Sequence, residues 1–149
     1  MLHVFISGVM QGNRNDHLIE DQDYRTRIAG ALRAHIPDVQ ITDPWTLHPD
    51  SVNYGPAEAE RTFLKNTHLA GEADVLIAYL PQTSMGTAME MWQAYQHNAA
   101  IIAVSPLTHN WAIRVTSQVI LPDLNSLLAY IAEGGVQQLA AARGNSAAR

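Results

Sequence analysis

The chain contains no cysteine, and this absence removes several kinds of chemistry. Disulfide bonds, thiolate metal sites and cysteine nucleophiles all require the missing side chain. Charged residues are also few, at 15%, and the acidic ones outnumber the basic ones to give a formal net charge of −5. Because nucleic-acid polymers are bound by basic surfaces, this balance argues against such a polymer as a partner.

Two longer sequence signals are missing as well. No apolar run approaches the roughly 20 residues that a membrane-spanning helix needs, so we expect no membrane partner. No signal peptide of basic, apolar and small residues opens the chain, and together with the lack of cysteine this favours a cytoplasmic protein. Neither a His-Glu-x-x-His spacing nor a Gly-x-x-x-x-Gly-Lys loop occurs, so we predict no metal site and no triphosphate-hydrolysis loop.

The 149 residues, 47% of them hydrophobic, are enough for one compact domain with a buried core. We predict a single domain over residues 1–143, followed by a small, polar and flexible tail over residues 144–149. No internal repeat or linker divides the chain.

Continuous apolar runs mark the predicted strands. Parallel strands are covered on both faces, so such runs indicate an α/β fold with a parallel sheet, and the amphipathic segments between them predict crossover helices. We expect a three-layer, flavodoxin-like (Rossmann-like) fold with five parallel strands in the order 2-1-3-4-5. The predicted strands are 2–7, 39–42, 73–80, 100–104 and 118–121, and the predicted helices are 24–35, 57–70, 87–96 and 124–132.

This strand order places two loops at one edge of the sheet. In the order 2-1-3-4-5 the switch point lies between the first and third strands, where ligands bind in such folds. Loops 8–16 and 81–86 are therefore predicted to face each other across one crevice. The polar segment 9–23 is long for a simple connection, which is typical of a functional loop. Segments 43–54 and 105–112 are predicted to be irregular.

Residues 73–94 carry the most chemical information. They predict a buried strand, a polar loop with Gly86, and a helix with Glu90 near its start. N–H groups at a helix start favour anions, and glycine allows close approach of a ligand. Ser84 can cap the helix, contact a ligand, or do both. Glu90 can attack or stabilise a sugar carbon, although a helix dipole alone also favours an acidic residue there.

Other loops hold further candidates. Gly8 and Gln11 lie in the first loop, where Arg14 can pair with a phosphate in a fork geometry. Asp43 can hydrogen-bond a base edge or donate a proton, and Trp45 can stack on a base, although a partly buried structural tryptophan is equally compatible. The histidines on these loops are His17, His48 and His109.

Two segments resemble one family. Residues 74–80, followed by Ser84-Met-Gly-Thr-Ala-Met-Glu90 and Ala94, resemble the nucleoside 2-deoxyribosyltransferase superfamily, as does the first strand end, Ile6-Ser7-Gly8. The Ser-x-Gly-x-x-x-Glu pattern of this loop resembles the one found in the 2'-deoxynucleoside 5'-phosphate N-hydrolase branch of that superfamily, where serine replaces the aspartate of the transferases. The resemblance implies cleavage, by hydrolysis or transfer, of the N-glycosidic bond of a nucleoside or nucleoside 5'-monophosphate. It also implies no metal or organic cofactor, and a homodimer or higher homo-oligomer.

The resemblance also implies roles for residues of this chain. Glu90 takes the position of the nucleophile, and Ser84 and Gly86 take positions that hold a 5'-phosphate. Asn66 departs from the family, which usually carries an acidic residue at this position, and an amide cannot donate a proton as a carboxylic acid does. The further candidate substrate-binding residues are Ser7, Gly8, Gln11, Arg14 and Asp43.

Three functions remain open on the sequence. The first is an enzyme that breaks or transfers N-glycosidic bonds. The second, motivated by Asn66, is a nucleotide-binding module with lost or weak catalysis. The third is an NAD-type glycohydrolase, since such proteins also use a glutamate that follows a strand and loop of a flavodoxin-like sheet.

An apolar stripe predicts how subunits would meet. Its members are spaced as one face of the helix that carries Glu90. The stripe is typical of a helix-to-helix contact between subunits, and it consists of Ala88, Met91, Trp92 and Tyr95.

Overall fold

The computed structural model describes residues 1–16 and 18–147 and contains an all-parallel, five-stranded sheet in the order β2-β1-β3-β4-β5. The strands are β1 (His3–Gly8), β2 (Gln40–Thr42), β3 (Val75–Tyr79), β4 (Ala100–Val104) and β5 (Val119–Leu121). The helices are α1 (Asp23–His35), α2 (Pro44–Leu47), α3 (Pro56–Gly71), α4 (Met85–Gln96), α5 (Trp111–Thr116), α6 (Leu124–Ala132) and α7 (Gly135–Ala147). A 3₁₀ turn, Ser51–Asn53, precedes α3. The predicted fold and strand order are confirmed.

The sheet buries both of its faces, as its continuous apolar strands require. In β3, Val75 and Ile77 belong to one core, whereas Leu76 and Ala78 point to the opposite face and belong to the other. Helices α1, α6 and α7 supply buried residues to the first core, and α3, α4 and α5 supply them to the second. No described helix is long and apolar enough to cross a membrane.

Helix α2 lies within segment 43–54, which the sequence predicted to be irregular, and helix α5 begins at the end of segment 105–112, which it also predicted to be irregular, and runs on through residues to which it assigned no helix. Asp43 caps α2 by accepting a hydrogen bond from the N–H of Trp45, and Pro44 occupies the first helical position, where its missing N–H costs nothing. Asn110 caps α5 by accepting from the N–H of Ile113. Both predictions were wrong because helices of one or two turns show no resolvable apolar period, so only their caps mark them.

The last helix was also missed. The sequence predicts that glycines end the final helix, and Gly134 does follow α6, with a φ of +80° that favours glycine. A new helix, α7, starts directly at Gly135 and adds the fully buried Val136 to the core. Residues 144–147, which the sequence assigned to a flexible tail, form the end of α7, and residues 148–149 lie outside the described part of the chain.

Candidate active site

A cavity of about 480 Å³ lies at the carboxyl edge of the sheet, at the switch point between β1 and β3. The loop after β1 lines it with Gly8, Gln11 and Arg14, and the loop after β3 lines it with Ser84. The two predicted loops therefore do face one cavity, and its size is that of a small-molecule site. Helix α3 and the segment between β2 and α3 also contribute walls.

The Glu90 side chain extends from α4 into this cavity, and a residue of the sheet holds it in place. The hydroxyl of Ser7, a fully buried residue near the end of β1, donates a hydrogen bond to Glu90 Oε2. Ser7 is itself absent from the cavity wall, so it reaches the cavity only through the carboxyl that it orients. A side chain locked in this way is preorganised for chemistry.

The environment of Glu90 changes its acidity. Burial raises the pKa of Glu90 from 4.5 to about 7, against the lowering effects of the Ser7 hydrogen bond and the Arg25 guanidinium. The carboxylate of Asp43 adds to the increase. A carboxyl with this pKa is present in both protonation states near neutral pH, so it can act as a nucleophile or exchange a proton. Such perturbed groups in a cavity are typical of functional sites.

Arg25, on α1, organises the floor of the site, and sequence reasoning missed it. Its side chain is 2% exposed, and Nη1 donates to Asp43 Oδ1 at 2.8 Å and to the carbonyl oxygen of Ile6 at 3.1 Å. Nη2 donates to the carbonyl oxygen of Gly8 at 3.2 Å, and Nε donates to Gln22 Oε1 at 2.7 Å. Arg25 therefore ties the end of β1 to the start of α2. One arginine in an amphipathic helix gives no sequence signal for this role.

Asp43 has a different position from the one that the sequence suggested. It does not line the cavity and is 7% exposed. Its carboxylate accepts from Arg25, from the N–H of Trp45 at 3.1 Å and from the hydroxyl of Thr46 at 3.0 Å. Trp45 is likewise absent from the cavity wall. Because its oxygens are used within the protein, Asp43 supports Arg25 rather than contacting a base.

Gly8 is required by the close approach of Tyr24. A Cβ at Gly8 would lie 2.8 Å from ring carbons of Tyr24, which is closer than real Cβ contacts. The Tyr24 hydroxyl donates to the carbonyl oxygen of Val9 at 3.1 Å, and its ring stacks on Tyr79 with centroids 4.2 Å apart. Burial raises the pKa of Tyr24, so the phenol stays a neutral donor. This packing fixes where the first loop leaves the sheet.

Ser84 and Gly86 begin α4 at the cavity wall. Ser84 Oγ accepts from the N–H of Thr87 at 3.4 Å as the N-cap while also lining the cavity, so both roles suggested by the sequence are compatible with its position. A Cβ at Gly86 would meet Phe63 at an ordinary 3.7 Å, so space does not require glycine there. A cap and free N–H groups at the start of a 12-residue helix suit an anion.

Arg14 lines the cavity but is paired with carboxylates of its own loop. Its Nε donates to Glu20 Oε1 at 3.0 Å, and its Nη1 lies 3.6 Å from Asp16. These partly exposed pairs are weak, so the guanidinium can exchange them for an anionic ligand. Neighbouring Gln11 faces the same cavity.

Proton donors are scarce in the cavity. Glu90 is the single carboxylate among the described residues that line it, and Asn66, on α3, contributes an amide. His48 and Tyr54 also line it, with His48 Nδ1 3.0 Å from the Tyr54 hydroxyl. His109 is exposed and absent from the wall, and His17 lies outside the described residues. No group of three or more His, Asp or Glu side chains in the described part of the chain is placed to hold a metal ion.

Similarity to known proteins is found in structure and not in sequence. No protein-family model and no curated protein sequence matches the chain. A 2-deoxyribosyltransferase from Bacillus psychrosaccharolyticus is 17% identical, with a TM-score of 0.65 over 86% of this chain and 91% of that chain. A conserved protein from Enterococcus faecalis V583 is 16% identical, with a TM-score of 0.60 over 89% and 98%.

An oxidoreductase has a similar structure too. An NADH:FMN oxidoreductase in its apo form is 11% identical, with a TM-score of 0.54 over 93% of this chain and 90% of that chain. A transferase and an oxidoreductase thus resemble the same chain, which is expected because one fold hosts many activities. At these identities the comparisons establish the fold: the chain has the five-stranded parallel α/β fold of the 2-deoxyribosyltransferase structure.

Proposed function

We propose that the protein cleaves the N-glycosidic bond of a nucleoside or nucleoside 5'-monophosphate, by hydrolysis or transfer, with Glu90 as the nucleophile. The observation that carries this proposal is the Glu90 carboxyl, oriented by Ser7 and desolvated, in a cavity at the switch point of the sheet. The structural similarity to a 2-deoxyribosyltransferase supports it, as does the Ser84-x-Gly86-x-x-x-Glu90 spacing.

The proposed reaction proceeds through a covalent intermediate. The ionised carboxylate of Glu90 attacks C1' of the sugar, and the bond between C1' and the base nitrogen breaks with its electron pair passing to the base. The base nitrogen takes up a proton. A water molecule, or the nitrogen of a second base, then attacks C1', returns a proton to the group that protonated the leaving base, and releases the carboxylate of Glu90. The first acceptor gives hydrolysis and the second gives transfer.

The leaving base needs a proton donor, and Asn66 cannot supply one. In the described cavity wall, His48 and its partner Tyr54 are the side chains besides Glu90 that suit this step. We assign the proton to His48, whose Nδ1 is bonded to the Tyr54 hydroxyl, which leaves Nε2 as the nitrogen that gives the proton to the base. We propose that the 5'-phosphate binds to Ser84, to the N–H groups around Gly86 and to Arg14.

The release of free base from candidate substrates tests the proposal. The protein is incubated with a panel of nucleosides and their 5'-monophosphates, and released base is quantified by chromatography. Release that depends on Glu90 supports the proposal. No release from any member, with Glu90→Ala behaving as the wild type, contradicts it.

Asn66 favours a second candidate, a nucleotide-binding module with little turnover. Titration calorimetry with the same panel separates the two, because tight binding without base release identifies the module. Nicotinamide release from NAD would instead identify the third candidate function, that of an NAD-type glycohydrolase.

Replacing Ser7 with alanine is expected to move the pH profile of base release. The Ser7 hydroxyl stabilises the ionised form of Glu90, so its loss raises the pKa of the carboxyl. A hydrogen bond to a charged group is worth about 1.5 kcal/mol or more, so activity at pH 6 should fall about tenfold while activity at pH 9 changes little. The profile of kcat/KM against pH checks this, and equal losses at both values would contradict it.

We also propose that the protein is a homo-oligomer joined through α4 and α5. The outer surface of these two helices exposes large apolar side chains. Monomeric proteins rarely expose a group of such side chains side by side. Of the stripe predicted from the sequence, Met91 turns instead into the core, whereas Trp92 is 52% exposed and stacks on Tyr95. The exposed members of this surface are Met89, Trp92, Trp111 and Val115.

Charge placed on this surface is expected to separate the subunits. In Trp92→Lys combined with Trp111→Lys, burying either ammonium would cost more than the contact returns. Light scattering should show the mass falling to that of one 16.4 kDa chain. Leu47→Lys changes an exposed apolar side chain on another surface and should leave the mass unaltered. A wild-type protein that is already monomeric would contradict the proposal.

A further inference from the structure

Two buried polar atoms in the cavity wall lack a partner. Asn66 Oδ1 and Thr87 Oγ1 are inaccessible to solvent and make no hydrogen bond within the described chain, and both residues line the cavity. Thr87 is only 2% exposed. Buried polar atoms are nearly always paired, because an unpaired one has lost its bonds to water without replacement. Two of them in one cavity indicate that a polar ligand group satisfies them.

One of these atoms lies on the helix that carries the nucleophile assigned above, and the other lies on the helix packed against it. Thr87 precedes Glu90 by three residues on α4, so the two side chains share one face of that helix. Asn66 comes from α3, which packs closely along α4. A sugar whose C1' is attacked by Glu90 brings its C2' substituent next to the attacking carboxyl. In glycoside hydrolysis, hydrogen bonds to the hydroxyl at this carbon strengthen in the transition state.

We infer that Asn66 and Thr87 bind the 2'-hydroxyl of a ribose, so that the substrate is a ribonucleoside or ribonucleotide rather than its 2'-deoxy analogue. This inference rests on the proposed function for the placement of C1'. The amide oxygen of Asn66 accepts the proton of the 2'-hydroxyl, and the hydroxyl of Thr87 donates to its oxygen. A 2'-deoxy sugar would leave both protein atoms unpaired, and sites built for a hydroxyl reject its absence strongly.

Binding of two sugar phosphates isolates the 2'-hydroxyl from the chemistry. Calorimetry with ribose 5-phosphate and 2-deoxyribose 5-phosphate should show at least about tenfold tighter binding of the ribose form to the wild type. Thr87→Val keeps the N–H that bonds to Ser84 and removes the hydroxyl, so the ratio should fall towards one through weaker ribose binding. Asn66→Ala should act in the same direction.

Ser117→Ala is the matched control. The Ser117 hydroxyl is also buried and unpartnered in the described chain, but Ser117 does not line the cavity. Its removal should leave the ribose preference of the wild type unchanged. Circular dichroism confirms that each variant is folded before it is compared.

The outcomes separate this inference from the proposed function. Three results overturn the inference: equal binding of both sugar phosphates, a ribose preference that survives Thr87→Val and Asn66→Ala, or no binding of either sugar phosphate at millimolar concentration. In each case bound water, rather than a 2'-hydroxyl, makes the hydrogen bonds of the two atoms. Base release in equal amounts from ribo- and deoxyribonucleotides also overturns it but upholds the proposed function. Ribose-selective binding without base release upholds the inference and overturns the function.

Discussion

Glu90→Gln should abolish base release and, at the same time, stabilise the protein above neutral pH. The amide has nearly the same shape as the carboxyl but cannot attack C1' or leave as a carboxylate. Loss of a nucleophile in a preorganised site lowers kcat on the order of a thousandfold or more. The measurement is free base per enzyme under saturating substrate, at pH 8, where the wild-type carboxyl is mostly ionised.

The gain in stability follows from the acidity of Glu90. Its pKa is raised from 4.5 to about 7 in the folded protein, so the folded state holds the proton more tightly than the unfolded state. The stability of the wild type therefore falls as pH rises from 4.5 through 7. Above that range the loss amounts to about 3 kcal/mol. Glutamine carries no charge at any pH, so its variant escapes this loss.

Urea unfolding at pH 5 and pH 8 measures the effect. The variant should exceed the wild type in free energy of unfolding by less than about 1 kcal/mol at pH 5 and by about 3 kcal/mol at pH 8. Glu60→Gln replaces an exposed residue on α3. It should alter neither the activity nor the difference in free energy of unfolding between pH 5 and pH 8. Base release within tenfold of the wild type would end the case for a Glu90 nucleophile, and equal stabilities at pH 8 would contradict the desolvation of its carboxylate.

Arg25→Met should destabilise the protein by about 3–5 kcal/mol, the largest effect on folding that we expect from one substitution. The change leaves the buried carboxylate of Asp43 without its counter-ion. It also removes the donors to the carbonyl oxygens of Ile6 and Gly8 at the end of β1. A buried charge without a partner is costly because neither water nor an ion pair stabilises it.

A second substitution tests that cause. Arg25→Met combined with Asp43→Asn removes the unpaired charge, so the double variant should recover part of the lost stability, and the two effects should not add. Arg27→Met, on the same helix but exposed and bonded only weakly to Asn125, should change the free energy of unfolding by less than about 0.5 kcal/mol. A loss of less than about 1 kcal/mol in free energy of unfolding for Arg25→Met would show that water reaches the ion pair of Arg25 and Asp43.

Much of the fold was predictable because its signals are local. The predicted bounds of β4 and α6 match those in the structure, since an uninterrupted apolar run and a capped, glycine-terminated helix each show their ends in the sequence. Helices α2 and α5 were missed although Asp43-Pro44 and Asn110 mark their starts. Caps without a following periodic segment are common in loops, so they did not suffice for a prediction. The single-domain and cytoplasmic predictions stay predictions.

The candidate site divides in the same way. Glu90, Ser84 and Gly86 were predicted to share a site because they lie within one strand-loop-helix segment at a fixed spacing, and all three line the cavity. Arg25 was not, because nothing near it in sequence distinguishes a buried arginine from a solvated one. Asp43 was placed on the correct edge of the sheet but given a ligand role, whereas its oxygens are occupied by Arg25 and by its own helix.

By itself, the sequence determined the parallel α/β fold, the order of its strands and the edge of the sheet at which a carboxylate and a polar loop meet. Periodicity, caps and turn residues act over a few positions and can be read along the chain. Only the tertiary structure decided which groups set the chemistry of that carboxylate. The hydrogen bond from Ser7 to Glu90 joins residues 83 positions apart, and the desolvation that raises the pKa comes from packing several elements around one side chain.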